Sequence, residues 1–196
     1  MALIKTMINI FQIPPKWDFQ ILEIINNFHR PFLDTILVFI SNIGEYAIIW
    51  LIIGLFLLFF DKKNGKIIFV TLAIALIIEV IINDGILKTI FYRERPYVLF
   101  TDLHHLGPNT ANSSFVSGHT ASSIAAFLVL IKSSKKIFYL LLPIVLLMIW
   151  TRFYLGMHYP SDVISGIIVG YICATLAFLI GKKVLKFKYD HYHQNK

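Results

Sequence analysis

The sequence predicts an all-α protein, a polytopic transmembrane helix bundle of about six spans, five of them clear and the N-terminal one less defined. Three observations lead there. Hydrophobic residues make up 57% of the 196 and charged residues only 15%, against about a quarter charged in soluble domains. The apolar residues gather in long runs, without the alternating or helical stripes of half-buried elements. Lysines recur between those runs, where cytoplasmic loops carry positive charge. The composition excludes disorder, a disulfide scaffold and an ordinary cytosolic enzyme. Cys173 is the single cysteine and lies inside an apolar run, so no internal disulfide can form.

Residues 1–30 read as an N-terminal interfacial segment. Its apolar stretch is broken by Asn9 and Gln12 and has no small-x-small cleavage site, so it is expected to be mature sequence rather than a signal peptide. Next, Ile21–Ile43 is interrupted by His29, Arg30 and Pro31. It is either one kinked span or an interfacial helix over Trp17–Phe28 followed by a second helix from Pro31. The five clear runs are Tyr46–Phe60, Ile67–Leu87, Thr120–Ile131, Ile137–Trp150 and Val163–Gly181. A bilayer core of about 30 Å needs roughly 20 helical residues, so the shorter runs must borrow neighbours or tilt. Trp17, Trp50 and Trp150 read as interface anchors. With no fixed-period repeat and no Gly/Ser-rich linker, residues 1–196 form one domain, and 182–196 form a cytoplasmic tail.

The net charge of +7 comes from 18 Lys and Arg against 11 Asp and Glu, and ten of the 18 fall in three short segments. These are Lys62, Lys63, Lys66; Lys132, Lys135, Lys136; and Lys182, Lys183, Lys186, Lys188. Their placement points to the inner surface of a cell membrane and not to nucleic acid. If all three are cytoplasmic, Lys88–Ser117 and Thr151–Asp162 both emerge on the extracytoplasmic side. Lys88, Arg93, Arg95 and Arg152 are then cations on the face that usually has few, which implies an anionic ligand there.

Three polar clusters stand at the ends of runs. In the first, Lys88 precedes Arg95 by seven residues, about two turns, so both would share a face if the helix continued to Pro96. In the second, Ser117-Gly118-His119 directly precedes a run, where Gly118 permits close backbone approach and free amides attract anions. In the third, Arg152, His158 and Asp162 precede the last run, with Pro160 suited to the first helical turn. Three cations, two histidines and one carboxylate suit phosphoryl transfer without a metal or other cofactor. The cations stabilise charge on the transferring group, one imidazole attacks phosphorus, the carboxylate orients it and the other imidazole protonates the leaving oxygen. Guanidinium groups around the site disfavour a metal ion.

These residues resemble the type 2 phosphatidic acid phosphatase (PAP2) superfamily, whose signature is K-x6-R-P, P-S-G-H and S-R-x5-H-x3-D. Here the pattern is Lys88-x6-Arg95-Pro96, Ser117-Gly118-His119 and Arg152-x5-His158-x3-Asp162, with Val116 for the proline and Thr151 for the serine. The resemblance implies that His158 is the nucleophile, Asp162 its orienting partner and His119 the acid. It implies that Lys88, Arg95 and Arg152 hold phosphate, with Ser117 and the Gly118 amide. It also implies a metal-independent phosphatase acting on lipid phosphates in the bilayer, with undecaprenyl diphosphate the leading substrate by analogy. Phosphatidylglycerol phosphate or phosphatidate, phosphoryl transfer to another lipid, and non-catalytic lipid binding are the alternatives.

Other polar residues have plainer readings. Asp84 is four residues before Lys88 and is expected to pair with it. Glu79, within a run, reads as structurally paired or as a protonated, hydrogen-bonded acid ahead of a catalytic group. Arg93 either touches a second phosphate or, preferably, snorkels to the interface. His104 and His105 read as solvated members of the loop Tyr97–Ser113, a candidate lid, and His191 and His193 as inert tail residues.

Overall fold

A computed structural model describes residues 12–183 and Lys186. The expectations for the first eleven residues, Lys188, His191 and His193 lie outside the described residues. Helix α1, Lys16–Asn26, follows Pro15 in extended conformation. Helix α2, Pro31–Ile43, starts with proline at its first position, where the missing N–H costs nothing. The segment interrupted at His29–Pro31 is therefore two helices. A 3-10 turn at Glu45–Ala47, with Tyr46 at φ 54° and Ala47 at φ 57°, leads into α3, Ile48–Phe60. Together α2 and the segment through α3 are apolar and long enough for one span, bent by 53°.

Helix α4, Gly65–Val80, continues through a π-helical stretch, Ile81–Leu87, and a last α turn, Lys88–Ile90. The span thus reaches 26 residues and keeps Lys88 on its end. After the short α5, Pro96–Leu99, come α6, Gly118–Leu130; α7, Lys135–Tyr154; and α8, Pro160–Lys183. Helices α7 and α8, like the α4 span, are long and apolar enough to cross a bilayer, whereas α6 has 13 residues. This is a multi-pass membrane protein, all-helical among the described residues.

The core lies where α4, α6, α7 and α8 converge, around Leu72, Ala125, Val129, Val145 and Cys173. Small residues let α6 and α8 approach backbone to backbone. A Cβ on Gly166 would sit 2.9 Å from the Ser117 carbonyl oxygen, and one on Gly170 would sit 2.4 Å from that of Ala121. Such close approach is how helices associate where lipid tails offer no hydrophobic contrast. Trp50 is an exception to its sequence reading. It is fully buried and donates its indole N–H to Ser123 Oγ at 3.2 Å, because its span packs on α6. Trp17 and Trp150 are exposed, as anchors require.

The turns at 61–64 and 131–134 meet at one end of the bundle, where Ser133 Oγ donates to Asp61 Oδ2 at 2.6 Å. Lys132 lies there over the Phe178 ring near the end of α8. Lysine-rich segments therefore share one end, and the three polar clusters gather at the other.

Candidate active site

The site begins with the turn between α7 and α8. The backbone N–H groups of Met157 and His158 both donate to the Arg152 carbonyl, at 3.2 and 3.3 Å, closing the chain back on the helix end. Gly156 provides the left-handed φ of 65° that this closure needs. The five residues between Arg152 and His158 are therefore the length of a helix C-terminal closure that brings guanidinium and imidazole to one place. A Cβ on Gly156 would also meet Leu103 Cδ2 at 2.7 Å. Gly156→Ala should cost about 1–3 kcal/mol, seen as a lower thermal midpoint in detergent; unchanged unfolding would show that this turn tolerates a side chain.

His158 is buried, and its Nδ1 donates to the Ser114 carbonyl at 2.8 Å, which leaves the Nε2 lone pair free. Asp162 Oδ2 lies 3.7 Å from the same Nδ1. The carbonyl, not the carboxylate, thus makes the direct bond, and Asp162 acts at one remove. It accepts the Tyr159 N–H at 3.0 Å, fastening the turn next to His158, and its other oxygen accepts from Arg93 Nη1 at 2.6 Å. Burial, with Arg95, Arg152 and Lys88 close by, holds the His158 imidazole well below the ordinary range, so it is neutral.

Arg93 does not snorkel to the interface. It is buried, bonds Asp162 and Ser161 Oγ at 2.6 and 2.8 Å, and lies over the Phe115 ring. Asp18 of α1 completes this group: its carboxylate accepts the Ser161 N–H at 2.8 Å and hydroxyl at 2.5 Å. A carboxylate at the positive end of α8 is favourably placed. Neither the Asp18 role nor the Arg93 pairing has a signal at short sequence spacing, since the partners are 143 and 69 positions away.

Arg95 departs from the shared helical face expected with Lys88. The helix stops at Ile90, and Arg95 is extended (φ −75°, ψ 154°), because proline disfavours helical backbone before it. Its guanidinium bonds the Met157 carbonyl at 3.1 Å and Asn112 Oδ1 at 2.7 Å. Burial lowers its proton affinity from the usual arginine range. Lys88 pairs with Asp84 at 2.6 Å, as its spacing predicts. Arg152 is buried and held by Thr151 Oγ1 at 3.0 and 2.9 Å and by Ser41 Oγ. No carboxylate lies within 4.0 Å of it among the described residues.

Close packing of α8 on α6 brings the second cluster alongside, and the Ser117 N–H donates to the Asp162 carbonyl at 3.3 Å. The Ser117 hydroxyl is engaged with Thr120 Oγ1 at 3.0 Å. The free amides at the start of α6 lie near Lys88 Nζ, which is 3.7 Å from where a Gly118 Cβ would stand. His119 Nε2 is buried with no hydrogen-bond partner. Glu79 is buried and accepts from Asn83 Nδ2 at 3.0 Å, a hydrogen bond that fits either of its two readings.

Lys88, Gly118, His119 and His158 line one cavity of about 1080 Å³. Its wall continues down the apolar residues Leu51, Ala73, Leu76, Ile77 and Val80 of α3 and α4. Lys88 and two imidazoles at the head of an apolar cleft, with Arg95 and Arg152 near His158 but not on the cavity wall, define an integral-membrane enzyme of lipid phosphate chemistry. The chain belongs to the PAP2 superfamily, which it matches over residues 64–186. It is 33% identical to undecaprenyl-diphosphatase BcrC of Bacillus subtilis (strain 168) over 152 residues, 76% of either chain. It is 30% identical to an undecaprenyl-diphosphatase of Sulfolobus acidocaldarius, over 79% of this chain and 73% of that one. Among solved structures it resembles LpxE of Aquifex aeolicus, with a TM-score of 0.70, 29% identity, and coverage of 82% of this chain and 93% of that one. The protein is a PAP2-type lipid phosphatase, a hydrolase of phosphate esters.

Proposed function

We propose that the protein hydrolyses undecaprenyl diphosphate at the extracytoplasmic surface of the cell membrane, without a metal, through a phosphohistidine on His158. The observation that carries the lipid reading is the cavity, polar at His119 and His158 and apolar along α3 and α4, which suits a phosphate headgroup with a long hydrocarbon tail. Two similar proteins bear the name undecaprenyl-diphosphatase, which supports this lipid among the phosphates such a cavity could take. The gathering of lysines at the far end of the bundle supports the outward orientation.

In this reading Lys88, Arg95 and Arg152, with the amides at the start of α6, bind the terminal phosphate and stabilise the charge on its oxygens. The neutral His158 attacks through Nε2. A P–N bond forms as the bond to the bridging oxygen breaks, and His119 gives that oxygen its proton. Water then attacks phosphorus, returning a proton to His119 as the P–N bond breaks and inorganic phosphate leaves. Asp162 and Ser114 keep Nδ1 of His158 protonated and the ring oriented.

The test is phosphate release from undecaprenyl diphosphate by detergent-purified protein in excess chelator, wild type beside His158→Ala. Release by the wild type alone supports the reading. Release by both variants removes the phosphohistidine, and release only from other lipid phosphates moves the substrate. A depressed imidazole also fixes the pH dependence. The nucleophile stays neutral below the free value of about 6.5, so the acid limb of kcat/KM falls below that pH once substrate ionisation is subtracted. The stability sign agrees: the unfolded chain binds this proton first, so stability is full above about pH 6.5 and declines as pH falls below it. An acid limb at or above 6.5 would contradict a buried neutral nucleophile.

A further inference from the structure

We infer that His29, Asp34 and His104 form a binding site for a late divalent transition metal such as Zn2+, separate from the phosphate site. The three ligand atoms lie within 4.8 Å of one another. His29 Nδ1 is 3.0 Å from Asp34 Oδ1, and His104 Nε2 is 3.7 Å from Asp34 Oδ2. A tetrahedral zinc with bonds of about 2.0–2.2 Å needs ligand separations of roughly 3.3–3.5 Å, so His29 and Asp34 must part by a few tenths of an ångström, losing the proton between them, while the half-exposed His104 moves inward. Two imidazoles and one carboxylate are the ligand set of open zinc sites, with the fourth position left to water.

The surroundings suit ligation. Tyr154 O–H donates to Asp34 Oδ1 at 2.6 Å, the type of outer hydrogen bond that orients a coordinating carboxylate. The His29 ring packs against Tyr154 at 4.2 Å and against His104 at 4.3 Å between centroids. The His104 backbone is held in place, its main-chain N–H donating to Asn26 Oδ1 at 2.7 Å. The one guanidinium next to the cluster in sequence, Arg30, is engaged with the carbonyls of His29 and Asn27, at 2.7 and 3.4 Å. The side chain of His104 is 51% exposed while those of His29 and Asp34 are 9% and 18% exposed, so an ion enters from the loop side.

The ligands come from three places: the α1–α2 junction, the first turn of α2, and the loop between α5 and α6. A bound ion therefore fastens that loop to the N-terminal helices. The same loop carries Thr110 and Asn112, which line the phosphate cavity, and Asn112 holds Arg95. The site clamps the mouth of the cavity and takes no part in the reaction, so it is compatible with turnover in chelator.

The experiment uses the full chain without an affinity tag, in detergent, with His191 and His193 replaced by alanine in every variant. Zn2+ is titrated calorimetrically, and Co2+ is followed by its visible absorption. The expected result is one ion per chain, an intense four-coordinate Co2+ spectrum, and protection of the 100–112 segment from protease by Zn2+. His104→Ala, a change at a half-exposed loop side chain, should weaken binding at least about tenfold and remove the protection. His29→Ala should do the same. No binding by the parent protein, or binding equal to the parent in both variants, would overturn the site.

Discussion

Arg152→Ala should lose about 10³-fold or more in kcat/KM while unfolding at the same or a higher temperature than the wild type. The two effects have one cause. Arg152 is buried at the end of α7 and held by two hydroxyl groups, with no carboxylate within ion-pair distance among the described residues. A buried cation without a counter-charge is costly in the free enzyme, so its removal relieves several kcal/mol of desolvation that hydroxyl dipoles offset only in part. In the proposed mechanism its counter-charge is the phosphoryl group, for which a correctly placed guanidinium contributes about 10³–10⁵ in rate. Arg152→Lys should recover little, because an ammonium cannot keep the Thr151 and Ser41 contacts and also present a planar fork to phosphate. Activity within tenfold of wild type, together with a lower thermal midpoint, would make Arg152 a structural residue instead.

Asp162→Asn should behave in the opposite way, losing stability first. The carboxylate is fully buried and receives the Arg93 guanidinium at 2.6 Å, and removing the charge from one side of such a pair costs about 3–5 kcal/mol. Turnover falls too, because Asp162 holds the Tyr159 N–H and so fixes the turn that aims His158. Changing both partners, Arg93→Met with Asp162→Leu, should recover part of the lost stability and none of the activity. That split separates the charge pair as scaffold from the carboxylate as orienter of the imidazole. If Asp162→Asn unfolded like the wild type, the ion pair would not be holding the start of α8. Two buried charges, Asp162 paired with a guanidinium and Arg152 held only by hydroxyl groups, are therefore expected to move stability in opposite directions.

The membrane architecture was legible because it follows from length and polarity alone. A run long enough to cross hydrocarbon must be helical, since no water is there to satisfy its backbone. Hence α4, α7 and α8 fall on the runs read from the sequence, each lengthened at its ends by polar residues that a hydropathy reading stops short of. The three clusters were legible for a different reason, their spacing. Five residues between Arg152 and His158 are those of a helix end closing on itself, and three between His158 and Asp162 are one helical turn. Lys88 with Asp84 is likewise local, four residues apart on one helix.

What tertiary structure alone decided is every contact whose partners are far apart in the chain. Ser114, and not Asp162, bonds the His158 imidazole, because the loop before α6 lies against the turn before α8. Arg93 faces inward to Asp162 across 69 positions, and Asp18 reaches Ser161 across 143, so neither could be told from an interfacial charge by its neighbours. Trp50 is buried because α3 packs on α6, a choice its own apolar segment does not encode. His104 belongs with His29 and Asp34 through the return of a loop to the N-terminal helices, which no local pattern announces. The sequence by itself determined which segments lie in the membrane and which short-range groups can act together, since both are set by helical geometry and by the cost of polar groups in lipid. How α6 and α8 associate, and so how the second and third clusters come to lie side by side, was decided by the packing of small residues between them, a property of two surfaces meeting.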